Sequence, residues 1–153
     1  MFEKFETIFD EKKAIKVTNL GRYNITDTME CGQCFRYERI PRDDEYIEYM
    51  TVVGDVLIRV AQKTEGELIF PEIDNVTFES VVVPYFALIR DLEEVKKSVV
   101  EGTNSEWLKS AADFGEGIAI LGQDPWETLI SFIISQNNNI PRIRKIVREI
   151  SAQ

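Results

Sequence analysis

Between Cys34 and Ile73 the chain carries four short runs rich in β-branched and aromatic residues: Cys34–Ile40, Tyr46–Val53, Val56–Gln62 and Leu68–Ile73. Turn residues part them, and runs of this length and make-up predict strands. Val53-Gly54-Asp55 and Thr64-Glu65-Gly66 suit hairpin turns, so the strands should form an antiparallel meander. Four short strands cannot bury themselves, and helices must cover one face. The fold class of this part is therefore α+β. An apolar fraction of 44% with nine Phe is enough to build a core of that kind.

The chain then changes character. Asp74-Asn75-Val76-Thr77 opens a short helical stretch that should reach Tyr85-Phe86, with Pro84 as an obstacle. Asp91 caps a polar helix to about Val100, and Ser105-Glu106-Trp107 opens another. Asp124, Pro125 and Glu127 have the spacing of a capping box with Asp as the cap, and the apolar run to Ile134 predicts a buried helix, which without neighbours would expose a patch prone to self-association. A last helix should begin near Asn139, with Ile140, Ile143, Val147 and Ile150 on one face. A boundary falls between Phe86 and Gly115. We divide the chain into an α+β part, residues 1–110, and an all-α part, residues 111–153.

Composition excludes several chemistries. There is no histidine, so no Ser-His, Cys-His or His-ligated metal mechanism can operate within this chain. Cys31 and Cys34 cannot complete a four-ligand zinc site alone, and no metal or cofactor is expected. A Cys-x-x-Cys redox pair belongs at a helix N-terminus, whereas strand-like Phe35-Arg36-Tyr37-Glu38 follows here. Gly32, between the cysteines, is either a simple turn glycine or a point where a ligand approaches the backbone. No apolar run approaches the roughly 20 residues of a membrane span, and the first residues lack a signal-peptide pattern. A cytoplasmic location, without a membrane partner, is the expectation.

Net charge is −9, yet residues 137–153 carry four cations (Arg142, Arg144, Lys145 and Arg148) against Glu149 alone. Such a basic end can meet phosphate or can be a solvated helix face. Before it stand Asn137, Asn138 and Asn139. One can cap the following helix and one can take a left-handed conformation, which leaves a spare amide. With Arg142 that amide fits hydrogen bonding to base edges.

Three blocks recur together. They are Gly32-Gln33-Cys34-Phe35-Arg36-Tyr37, then Tyr85-Phe86-Ala87-Leu88, then Gly117-Ile118 through Gln123-Asp124-Pro125-Trp126-Glu127 to Asn137-Asn138-Asn139-Ile140-Pro141-Arg142. In order and spacing the chain resembles the 8-oxoguanine DNA glycosylase family from about Tyr23 onward. The resemblance implies a TBP-like antiparallel sheet with covering helices, followed by the start of a helix-hairpin-helix glycosylase domain. It implies that the Gly32 carbonyl accepts from the N7–H of oxidised guanine. It also implies that Asn137 fills the gap left by the flipped base, with Asn138 beside it in the DNA-binding set. Arg142 would bond the orphaned cytosine. The implied partner is double-stranded DNA containing 8-oxoguanine opposite cytosine.

The family's nucleophilic lysine, its assisting Asp and its hairpin lie downstream of the asparagine turn, so no catalytic residue is expected within these 153 residues. The chain alone should bind DNA weakly and excise nothing. A separately encoded C-terminal half, or a repurposed protein-binding module, are the alternatives. Two departures from the family pattern stand out. Ala119 and Gly122 replace basic or polar residues, which should weaken phosphate contact, and Tyr37 stands where Trp is common, a change expected to affect packing only.

Overall fold

The sheet has six strands. β1 (Glu3–Phe9) and β2 (Lys12–Thr18) form a hairpin ahead of the four expected from sequence. Its turn is Asp10-Glu11, at φ 50° and 64°, a left-handed pair without the glycine or asparagine that usually announces one. Asp10 is kept there by its carboxylate, whose oxygens accept from both terminal nitrogens of Arg42 at 2.8 and 2.9 Å. The computed structural model describes residues 1–152.

The meander follows as β3 (Tyr37–Ile40), β4 (Ile47–Val53), β5 (Val56–Gln62) and β6 (Leu68–Pro71). β6 returns to pair with β2, giving the order β1-β2-β6-β5-β4-β3 with every pairing antiparallel. Register puts Ile15 opposite Phe70, Val17 opposite Leu68, Tyr49 opposite Val60 and Thr51 opposite Ile58. All eight are buried on the same face.

Helices cover that face, as the meander requires. α1 (Ile25–Glu30) starts at Asn24, whose side chain accepts from the Asp27 N–H, and buries Ile25 and Met29. α2 is continuous through Asn75–Thr77, Phe78–Val82 and Val83–Tyr85. Its middle widens to i→i+5 bonding, with the Val83 N–H donating to the Phe78 carbonyl. That widening lets the helix pass Pro84, which has no N–H to give and would crowd a tighter turn. Phe78, Val82 and Phe86 are fully buried against Phe70.

The opposite face of the sheet holds a charged cluster. Glu48 is fully buried, with Arg42 Nη1 and Arg59 Nη2 each 2.6 Å from its carboxylate. Arg42 also lies over the rings of Phe9 and Tyr46, at 4.7 and 5.8 Å from the centroids. A carboxylate can be buried here because two guanidinium groups compensate it.

Two polar helices, α3 (Leu92–Glu101) and α4 (Glu106–Phe114), bury no residue and pack on each other. Asp91 and Ser105 cap them as expected. Residues 117–123 return to the α+β body. The Gly117 carbonyl accepts from Asn24 N–H at 3.0 Å, the Ala119 N–H donates to Thr28 Oγ1 at 3.1 Å, and the Gly122 N–H donates to the Tyr85 carbonyl at 2.7 Å. At Gly117 φ is 95°, and a Cβ would stand 2.4 Å from the Arg22 carbonyl, so only glycine fits this close approach. α5 (Pro125–Ser135) and α6 (Ile140–Ser151) complete the chain.

Candidate nucleic-acid interface

α5 departs from the expected buried helix. Its only buried residue is Ser131, while Trp126 is 68% and Phe132 63% exposed, and Leu129 and Ile133 are exposed beside them. An apolar sequence predicts burial only where a neighbour exists, and the sheet's covered face is already filled by α1 and α2. Asp124 caps α5 as expected, its Oδ1 accepting from the Glu127 N–H at 2.9 Å. The Glu127 carboxylate does not close the box. It accepts from Arg36 Nη1 at 3.0 Å and ties α5 to the loop before β3.

α6 is tied to the same edge. Arg144 Nη2 donates to the Tyr37 carbonyl at 2.7 Å, and its guanidinium lies 4.3 Å from the Tyr37 ring centroid. Arg148 pairs with Glu38. Two of the four cations of the basic end are thus tied to the sheet edge, and Tyr37 supports a cation–π contact in addition to its packing. Lys145 stands 3.9 Å from Glu149 on the surface. Arg142 is exposed, and no carboxylate among the described residues forms an ion pair with it.

The asparagines divide their work clearly. Asn139 is the N-cap of α6, its Oδ1 accepting from the Arg142 N–H at 3.0 Å. Asn138 is half-buried and closes the end of α5, with Nδ2 donating to the Ile134 carbonyl at 3.1 Å. Asn137 takes the left-handed conformation, φ 53°, and is exposed. The left-handed residue and the spare amide are therefore one residue, and two of the three amides are used at helix ends.

Gly32 lies against the start of α6. A Cβ there would be 3.7 Å from Ile140 Cδ1, ordinary contact, but its φ of 90° disfavours any other residue. The glycine lines a cleft of about 400 Å³ with Phe35, Leu121, Gln123 and Phe132. The Gly32 loop and the start of α6, 108 positions apart from Gly32 to Ile140, thus come together.

The flanking cysteines are unsuited to redox work. Cys31 is the C-cap of α1 rather than the start of a helix, and burial pushes the Cys34 thiol up to about 12. Ala119 is buried and a Cβ on Gly122 would stand 2.5 Å from the Pro84 carbonyl. As the backbone stands, neither position has room for a longer side chain. Gln33 is a further residue of the site, and nothing local in the sequence marks it out. Its amide joins residues 86 and 88 positions away, and no local pattern reports such bonds.

A six-stranded antiparallel sheet covered by helices, continued by a helix pair whose second helix begins against a loop of the sheet domain, defines an α+β module with an open cleft between its parts. The chain belongs to the 8-oxoguanine DNA glycosylase family: the model described as "8-oxoguanine DNA glycosylase, N-terminal domain" matches residues 15–129. It is 32% identical over 97% of its length to the N-glycosylase/DNA lyase of Saccharomyces cerevisiae, of which it spans 33%. The apo form of Clostridium acetobutylicum 8-oxoguanine glycosylase/lyase superposes with TM-score 0.76 at 37% identity, covering 93% of this chain and 46% of that one. The same enzyme in complex with double-stranded DNA containing cytosine opposite 8-oxoG superposes with TM-score 0.76 at 36% identity, covering 95% of this chain and 45% of that one. The chain therefore spans about a third of the curated relative and under half of the solved ones.

Proposed function

We propose that this chain is the damage-recognition part of an 8-oxoguanine DNA glycosylase of base excision repair, acting on duplex DNA with 8-oxoguanine opposite cytosine. The observation that carries the reading is the approach of Gly32 to Ile140, the residue that follows the asparagine turn, beside a cleft that Gly32 lines with Phe132. The Gly32 carbonyl would accept from the N7–H that only the oxidised base possesses; on normal guanine a lone pair would face it. Asn137, whose amide has no assigned task in the fold, would enter the gap left by the extruded base. Arg142, exposed and unpaired among the described residues, would donate to the orphaned cytosine. Asn138 would contribute through its position beside Asn137, since its own amide is engaged at the helix end.

No lysine lines the cleft. A nucleophilic lysine must be partly neutral, whereas Lys63 and Lys96 are held charged by Glu45 and by Asp113 with Glu116. Base excision would then need polypeptide equivalent to the rest of the relatives' length, either continuous with this chain or separately encoded. The uncovered face of α5 is the surface such a partner would cover. We read residues 1–110 as the α+β unit and residues 111–153 as the opening of the helical one, with 117–123 strapped back across the first.

Two assays test the reading. With the 153-residue protein, borohydride should trap no adduct on an 8-oxoguanine duplex, and a covalent band would contradict the assignment. In a low-salt gel shift, Arg142→Ala should remove the preference for cytosine over adenine opposite the lesion. Equal opposite-base preference in both proteins would count against Arg142.

A further inference from the structure

Two glutamines hold the loop that carries Gly32. Gln33 Nε2 donates to the Thr28 carbonyl at 2.9 Å and to the Ala119 carbonyl at 2.8 Å, while its Oε1 accepts from the Leu121 N–H at 2.9 Å. Gln123 Nε2 donates to the Gln33 carbonyl at 2.7 Å. Gln33 is thereby fixed through its side chain on one side and its own carbonyl on the other. Between residues 31 and 34 nothing else joins this loop to 117–123 by hydrogen bonds among the described residues.

Gly32 sits immediately before this anchor. Its oxygen belongs to the peptide unit that ends at Gln33, and no described donor takes it. Glycine at φ 90° has a shallow conformational well, so this peptide could rotate if its far end were free. A hydrophobic residue at 33 or 123 would fill the same space without setting an angle. An amide held by three hydrogen bonds does set one.

We propose that Gln33 and Gln123 are positioning residues for lesion recognition: they lock the peptide between Gly32 and Gln33 so that the Gly32 carbonyl is presented to the flipped base. The proposal rests on the reading of Gly32 given above. Gln123 is the testable half, because it acts on the loop only through the Gln33 carbonyl.

The test combines Gln123→Leu, which removes the donor, with Gln123→Lys, which keeps one within reach of the same carbonyl. Competition binding at low salt gives the ratio of affinities for 8-oxoguanine:cytosine and guanine:cytosine duplexes. Gln123→Leu should lower that ratio about fivefold, the weight of one net hydrogen bond, and Gln123→Lys should restore it. Gly32→Ala added to Gln123→Leu should lower it no further than Gly32→Ala alone, since Gln123 serves only to hold the Gly32 carbonyl in place. Independently of DNA, NMR couplings at Gly32 should report one φ in the wild type and averaging in Gln123→Leu, with thermal melting confirming that each variant is folded. Should Gln123→Leu fail to fold, Gln123→Met removes the same donor with a more pliant side chain. A wild-type lesion preference that the folded donor-less variant retains, with Gly32 couplings unchanged, overturns the proposal alone. A wild type without lesion preference overturns the reading of Gly32 and the proposal with it.

Discussion

The α+β body and the helix pair are held by different physics. In the body, Tyr23, Tyr49, Phe70, Phe78 and Phe86 are all but inaccessible to solvent, and no buried side-chain polar atom lacks a partner among the described residues. In the helix pair, α5 buries one serine, and α6 leaves Ile140 and Ile150 exposed while burying Ile143 and Val147. The pair takes its position from polar ties to the sheet edge: Arg36 to Glu127, Arg144 to Tyr37 and Arg148 to Glu38. A core of that size can stand alone. A helix pair held by a few surface-edge bonds is positioned but weakly stabilised, which suits a part that other surfaces are to complete.

The sharpest way to break this contrast is to remove one core ring. Phe70→Ala should cost about 3–5 kcal/mol in global unfolding, because Phe70 packs edge-on to both Phe78 and Phe86 and the cavity cannot close. Denaturant titration measures it. A loss below about 1 kcal/mol would mean that the body is not the stable unit.

A smaller change should act on the pair alone. Arg144→Ala removes the bond to the Tyr37 carbonyl and the cation–π contact, at a cost of about 1 kcal/mol. Amide exchange should speed up in α5 and α6 and stay unchanged in β4 and β5. Uniform acceleration would show that the two regions unfold as one. The smallest effect is expected at Phe132→Ala, within about 0.5 kcal/mol of the wild type, because the ring is already in water. Sedimentation should show weaker self-association for this variant. A marked loss of stability there would mean that α5 is covered within the monomer.

What could be read from the sequence followed the same division. Local signals succeeded: Val56–Gln62 is a strand with the expected ends, and Asp91, Ser105 and Asp124 are caps. The hairpin of β1 and β2 was illegible because Asp10-Glu11 lacks a turn signature and is held by Arg42, 32 positions away. Non-local polar choices were likewise hidden. Glu127 had an evident local partner at the helix start and instead pairs with Arg36, 91 positions away. Gly32 and the asparagine turn could be named from the resemblance, but only the fold shows that Gly32 approaches Ile140 just beyond the turn and that Asn137 is the amide left over.

The central claim is that the lesion is recognised in this part of the molecule, at Gly32. It is tested most directly by the affinity of the 153-residue protein for 8-oxoguanine:cytosine relative to guanine:cytosine duplex, measured at low salt beside Gly32→Ala. The account requires a preference for the lesion in the wild type and its loss in Gly32→Ala, where a side chain forces the backbone away from φ 90°. Equal affinity for both duplexes in the wild type, or an undiminished preference in the folded variant, would contradict it.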